Sequence, residues 1–259
     1  MNIIVLLKQI PDTASLIRIN DDGKTINTDN IKWIINPYDE FAVEEALQIK
    51  EKYGATVTIV SVGPKRYVDS IRKALAMGAD KAILIDDPKY YDCDAFCIAN
   101  ICAGLLKDIS YDIIIAGQRG MDLDQYNVPI AVAELLNLPQ ITMVTKVEIK
   151  NNQIFCDQSI DGGKRSVYTN LPVLITTQRG LNNPRFTSMA GIMKAKKKPL
   201  EIKDISQINI DALILENKTK VLAFRYPPER KQGIIIQGES LEDKAEKLIN
   251  ALQNDSKVI

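Results

Sequence analysis

With 259 residues, 46% of them hydrophobic and 25% charged, the chain has the composition of an ordinary globular protein with room for a substantial core. Its 33 basic residues balance its 33 acidic ones, so no global field draws it toward nucleic acid or an acidic membrane. Histidine is absent, which removes the commonest metal ligand and the commonest general base near neutral pH and argues against a hydrolase triad or a zinc enzyme; any chemistry is expected to come from a cofactor.

The start, "MNIIVLLKQIPD", turns polar too early for a secretory signal, and no apolar run approaches the roughly 20 residues that span a bilayer, so the expectation is a cytoplasmic chain without a membrane span. "NIIVLLK" (2–8) predicts a buried strand. "NPYDEFAVEEALQIKEKYG" predicts a helix, with Asp39 as its cap, Ala42, Val43, Ala46, Leu47 and Ile49 on one face and Gly54 at its end. "TVTIVSVG" (56–63) is the next strand, "YVDSIRKALAMGA" the next helix and "KAILIDD" (81–87) the next strand. The alternation repeats with "CDAFCIANICAGLLKDI", "YDIIIAGQ" (111–118) and "QYNVPIAVAELLNL" (125–138). Strands alternating with amphipathic helices imply an α/β fold, a doubly wound and mostly parallel sheet. Cys93, Cys97, Cys102 and Cys156 contain no CxxC pair and read as reduced structural thiols.

From about residue 139 the pattern changes to strands broken by an Asn-Asn turn and an Asp-Gly-Gly turn, an antiparallel meander at the sheet edge. After Pro199 the chain becomes irregular; the paired prolines of "RYPPERKQG" can continue neither helix nor strand. A final amphipathic helix, "SLEDKAEKLINALQ", has Ser240 as its cap. The expected organisation is an α/β domain over 1–199 and an arm over 200–259 that reaches a partner chain or, alternatively, straps back onto its own domain.

Doubly wound sheets bind ligands at the carboxyl ends of their strands, where the strand order reverses. Three strand ends qualify: "LLKQIPD", "VSVGP" and "IIAGQRGMDLDQ". Two carry glycine, which serves either close approach of backbone to a nucleotide or ordinary turn chemistry. Later, "RFTSMAGIMKAKKKPLE" (185–201) packs four lysines into five residues. It reads as a docking segment or as a solvated basic helix end; aromatic residues do not interleave with the lysines, so nucleic acid is not the expected partner.

"NPYDEFAVEEAL" (36–47), "IRKALAMGAD" (71–80), "DGGKRSVYTNLPVLITT" (161–177) and "LNNPRFTSMAGIMKAKKKP" (181–199) occur in the order and spacing of motifs in the beta subunit of electron transfer flavoproteins. The resemblance covers nearly the whole chain. It implies a layered sheet of the adenine nucleotide alpha hydrolase type and a heterodimer with an alpha subunit that holds FAD. It also implies a nucleotide pocket in the beta chain, holding AMP in simple carriers and a second FAD, reduced by NADH, in the bifurcating branch.

Carried over position by position, the resemblance assigns cofactor binding to Leu6 and Lys8 after the first strand, to Asn36, Pro37, Tyr38 and Asp39 before the first helix, and to Val62 and Gly63 after the second strand. Gly117 and Gln118 with Asp122, Leu123, Asp124, Gln125, Tyr126, Asn127 and Val128 would form the phosphate and ribose loop. Tyr38 matches an aromatic wall beside the flavin of the alpha chain. Asp122 and Asp124 would repel a phosphate, so they are expected to bind backbone amides or ribose hydroxyls, leaving helix-start amides for the phosphate. The segment 181–199 corresponds to a recognition loop that inserts an apolar anchor, here Met189, into an acyl-CoA or 2-hydroxyacid type dehydrogenase. Arg185, Ile192, Met193, Lys194, Lys196, Lys197 and Lys198 would flank it.

Four departures bear on the ligand. Leu123, Gln125, Tyr126 and Pro129 stand where bifurcating members tend to have glycine, threonine, alanine and glycine, which adds bulk and removes a hydroxyl. Gln158 stands where the family usually has a basic residue. Thr13, where simple carriers have tyrosine, and the tail around "PPERKQG" resemble the bifurcating branch. A reading from another class is a nucleotide-binding regulatory module similar to universal stress proteins.

Overall fold

The computed structural model describes residues 1–210, 212–229, 232–255 and 258, which form two compact units, Met1–Leu222 and Ala223–Ile259. Arg230 and Lys231 of the proline-rich stretch lie outside the described residues.

In the first unit, β1 (Asn2–Leu6) leads into an excursion of short strands, β2 (Gln9–Pro11), β3 (Arg18–Ile19), β4 (Ile26–Asn27) and β5 (Trp33–Ile35), then α1 (Pro37–Tyr53) and β6 (Thr56–Val62). There follow α2 (Tyr67–Met77), β7 (Lys81–Ile85), α3 (Ala95–Lys107), β8 (Ile113–Gly117) and α4 (Asn127–Leu135). The meander β9 (Gln140–Lys150), β10 (Gln153–Ile160) and β11 (Gly163–Asn170) precedes β12 (Val173–Thr177), α5 (Met189–Ala195) and β13 (Leu200–Lys203). Nine strands form one sheet in the order β11-β10-β9-β12-β8-β1-β6-β7-β13. It is parallel from β9 to β13 and antiparallel from β9 to β11.

The central strands read as continuous β-branched runs because both faces are covered. Along β1, Ile3 and Val5 join a core with α1 and α2, whereas Ile4 and Leu6 join a second core with α3 and α4. The five residues expected on the inner face of α1 are all buried. That helix begins with Pro37 in its first turn and stops at Gly54, whose φ of 72° suits a residue without Cβ. Between β9 and β10 the Asn-Asn turn holds Asn151 and Asn152 at φ 51° and 61°, the backbone that a tight hairpin needs.

Three expectations change. Val173–Thr177, read as the last strand of the meander, does not extend it; β12 inserts between β9 and β8 and is buried throughout, with Val173, Leu174 and Ile175 packed into the two cores and the Thr177 hydroxyl satisfied by donating to the Tyr38 and Ala116 carbonyls. The chain after Pro199 re-enters the sheet, with β13 pairing to β7, so the compact first unit extends past residue 199 to Leu222. Cys93 and Cys97, four residues apart at the start of α3, have joined sulfurs, while Cys102 and Cys156 are free and buried. The second unit contains α6 (Leu241–Asn250), capped by Ser240, whose Oγ accepts from the Asp243 amide. Among the described residues no helix is long and apolar enough to cross a membrane.

Candidate functional site

The strand order places the reversal between β1 and β8, since the chain builds β6 and β7 on one side of β1 and returns to build β8 on the other. A crevice forms where successive crossovers diverge. The three strand ends singled out in sequence, those of β8, β1 and β6, are neighbours here, and the first turn of α1 comes to them.

Asp39 ties this region together. It is not a helix cap: Asn36 holds that position without a side-chain cap bond. The buried carboxylate of Asp39 instead accepts from the Lys8 amide at 2.7 Å, the Gly117 amide at 3.1 Å and Asn36 Nδ2 at 2.9 Å. Burial pushes its pKa up to about 7, the hydrogen bonds from Lys8, Asn36 and Gly117 reversing only part of the rise. Asn36, also buried, donates to the Arg119 carbonyl and accepts from the Met121 amide. Gly117 is required: a Cβ there would lie 2.7 Å from the Tyr38 backbone.

In the loop after β8, Asp122 and Asp124 each meet a basic side chain from the adjacent strand ends: Asp122 Oδ2 lies 2.6 Å from Lys8 Nζ, and Asp124 Oδ1 lies 2.7 Å from Arg119 Nη1. Arg119, which sequence reasoning missed, is the hub of this loop. Its guanidinium lies over the rings of Tyr38 and Tyr126, 5.1 and 5.6 Å from their centroids, and donates to both hydroxyls at 3.0 and 2.8 Å. Tyr38 therefore presents a ring whose polar tip is engaged. The only hint in the sequence was an arginine directly after a strand-end "AGQ".

Two buried polar atoms here have no protein partner, Gln118 Oε1 and Arg119 Nε. No side chain caps the N-terminus of α4 at Tyr126. Leu123 and Tyr126 stand at the surface, 55% and 37% exposed, while Gln125 is fastened through its carbonyl to the Gly120 amide. Asn127 and Val128 open α4. At the end of β6, Val62 leads into Gly63, whose φ of 155° leaves space for the buried Tyr67 ring, a ring that an added Cβ would meet at 2.7 Å.

The segment 181–199 lies elsewhere, on α1 and α2. Phe186, Met189 and Met193 project, 99%, 77% and 61% exposed, with Ile192, Lys194, Lys196 and Lys197 also exposed. Arg72, Lys73 and Ala76 of α2 and Ile192 and Ala195 of α5 line a groove of about 410 Å³. Lys198 does not join the exposed lysines: its Nζ donates to the Leu75 and Ala79 carbonyls at the end of α2, and burial lowers its pKa. Arg185 likewise turns inward, onto Glu44 and Glu51. Gln158 accepts from Arg165 Nε and Nη2 and donates to Thr142, so a positive charge reaches its position from the neighbouring strand.

These features define a doubly wound α/β domain with cationic, amide and acceptor groups gathered at its switch point. Residues 23–207 match the electron transfer flavoprotein domain, and the chain belongs to that family. It is 41% identical over 260 residues to the electron transfer flavoprotein subunit beta of Bacillus subtilis, covering 100% of both chains. The subunit beta of Syntrophomonas wolfei is 40% identical over 259 residues, covering 100% of this chain and 98% of that one. The subunit beta of Thermoanaerobacterium thermosaccharolyticum is 36% identical over 258 residues, covering 98% of each.

Proposed function

We propose that this chain is the beta subunit of a heterodimeric, cytoplasmic electron carrier, which pairs with an alpha subunit and holds an adenine nucleotide at the β1/β8 switch point. The observation that carries the reading is the set of unpartnered groups in one place: a buried acceptor on Gln118, a buried donor on Arg119 and an α4 N-terminus without a side-chain cap. Helix-start amides and the Lys8 and Arg119 cations suit phosphate. The Gln118 acceptor suits a ribose hydroxyl or an adenine amine. Asp122 and Asp124 direct the two cations, and Asp39 keeps the strand ends in register.

The leading reading places a second FAD in this site, with NADH as electron donor and flavin-based bifurcation as the outcome; Thr13 and the tail support it. The bulk of Leu123, Tyr126 and Pro129 favours a second reading, AMP in a simple carrier. The flavin supplies the electron chemistry when bound, and the protein supplies position, shielding and charge. Met189, with Ile192, Met193, Lys194, Lys196 and Lys197, would form the face that meets an acyl-CoA or 2-hydroxyacid type dehydrogenase. An exposed apolar anchor inside a charged rim is the usual form of a hot spot.

Coexpression with the alpha chain, followed by extraction, decides the matter. Two flavins per dimer with reduction by NADH are expected for bifurcation, and one flavin plus AMP for the simple carrier. A colourless pair, or a stable homodimer that binds ATP without flavin, overturns the proposal and returns the chain to the regulatory class.

A further inference from the structure

The segment that carries Met189 is held at both ends by guanidinium groups. At its end, Arg72 Nη1 donates to the carbonyls of Ala195 and Lys198 at 2.6 and 2.8 Å. At its start, Arg185 uses every nitrogen of its side chain. Nε and Nη2 hold the two oxygens of Glu44 at 2.8 and 3.0 Å, Nη1 and Nη2 hold those of Glu51 at 2.5 and 3.2 Å, and its backbone amide returns to Glu44 at 3.1 Å. Asn182 adds bonds to the Phe41 carbonyl and to Glu45. The Glu44 side chain is only 5% exposed. A carboxylate taken that far from water persists only when a fixed cation saturates it, and the planar fork of arginine supplies that cation in one orientation.

We propose that Arg185 is a positioning residue and makes no contact with a docking partner: its guanidinium clamps the start of the 182–195 segment onto α1 so that Phe186 and Met189 project in a single, preset arrangement. The proposal rests on the reading of Met189 as the docking anchor. Its physical logic is that a loop ordered before encounter loses less entropy on binding. Four of the five N–H groups of the Arg185 guanidinium are engaged within the chain, whereas the neighbouring Phe186 side chain is in water.

The test uses the heterodimer carrying Arg185→Met, with Glu51→Gln as a milder companion that removes the exposed half of the grip. Hydrogen exchange of the residue-185 amide, which Glu44 holds, is expected to rise at least about tenfold in Arg185→Met, and less in Glu51→Gln, while amides inside α1 hold their rates. In electron delivery to an acyl-CoA dehydrogenase, KM for the carrier is expected to rise about tenfold with kcat held. Adding Arg185→Met to Met189→Ala should raise KM by less than about twofold over Met189→Ala alone, because both act through one anchor. Unchanged exchange at the residue-185 amide overturns the clamp, and additive effects on KM make Arg185 a direct contact and overturn it too. A Met189→Ala protein that delivers electrons normally defeats the docking reading, while the exchange rates still decide the clamp.

Discussion

Asp39 shows how far a residue's role depends on what folds around it. In sequence, an aspartate near a helix start is a cap; in the fold its two oxygens take amides from the ends of β1 and β8. Asp39→Asn sets an NH2 group against one of those amides and leaves a buried donor unpaired, at a cost of about 1–3 kcal/mol. The charge adds a pH dependence of definite sign. With its pKa raised from 3.8 to about 7 by burial, Asp39 binds its proton more tightly folded than unfolded. Its contribution is therefore fully present below the unfolded value and lost as pH rises through about 7. Thermal melts from pH 5 to 8 should show the deficit of Asp39→Asn shrinking with rising pH; a constant gap would rule out this titration. Arg165 makes a related point: the basic residue absent at position 158 is matched by one that cross-strand pairing brings onto Gln158.

Among the elements, the strand-to-helix turns carry the site, and the turn from β6 into α2 is the most tightly determined. Gly63 and the Tyr67 ring occupy adjoining space, and Tyr67 is buried, its pKa pushed up to about 12 chiefly by that burial. Gly63→Ala is expected to displace the ring and cost about 1–3 kcal/mol, read as a lowered thermal midpoint; an unchanged midpoint would mean the turn relaxes freely. The amphipathic helices and alternating strands were legible in sequence because their periodicity is local. The placements of β12 and β13 were not, since a short apolar run does not specify which strands will flank it. The lysine run behaved similarly: spacing showed four cations, and only packing revealed that Lys198 closes the end of α2 while Lys194, Lys196 and Lys197 stay in water.

At the scale of the molecule, both hydrophobic cores lie within the first unit; every residue of each falls before Leu222. A chain ending at Leu222 should therefore melt cooperatively with its circular dichroism spectrum preserved, and non-cooperative unfolding would show that residues 223–259 are needed for the fold. The α6 helix buries no residue, with Leu241 79% and Leu248 47% exposed. Under the proposed pairing, in which this arm meets the alpha subunit, the truncated chain is expected to lose that subunit in size-exclusion chromatography. By itself the sequence determined the layered α/β class, the membership of the electron transfer flavoprotein family and the three strand ends that converge, because apolar periodicity and short motifs are written in adjacent residues. The tertiary structure alone decided that Asp39 braces two strands, that Arg119 joins Tyr38 to Tyr126, and that Arg185 turns inward to Glu44. Those partners lie from 7 to 141 positions apart along the chain, and a polar side chain's partner is chosen by whichever groups the buried sheet brings within hydrogen-bonding reach.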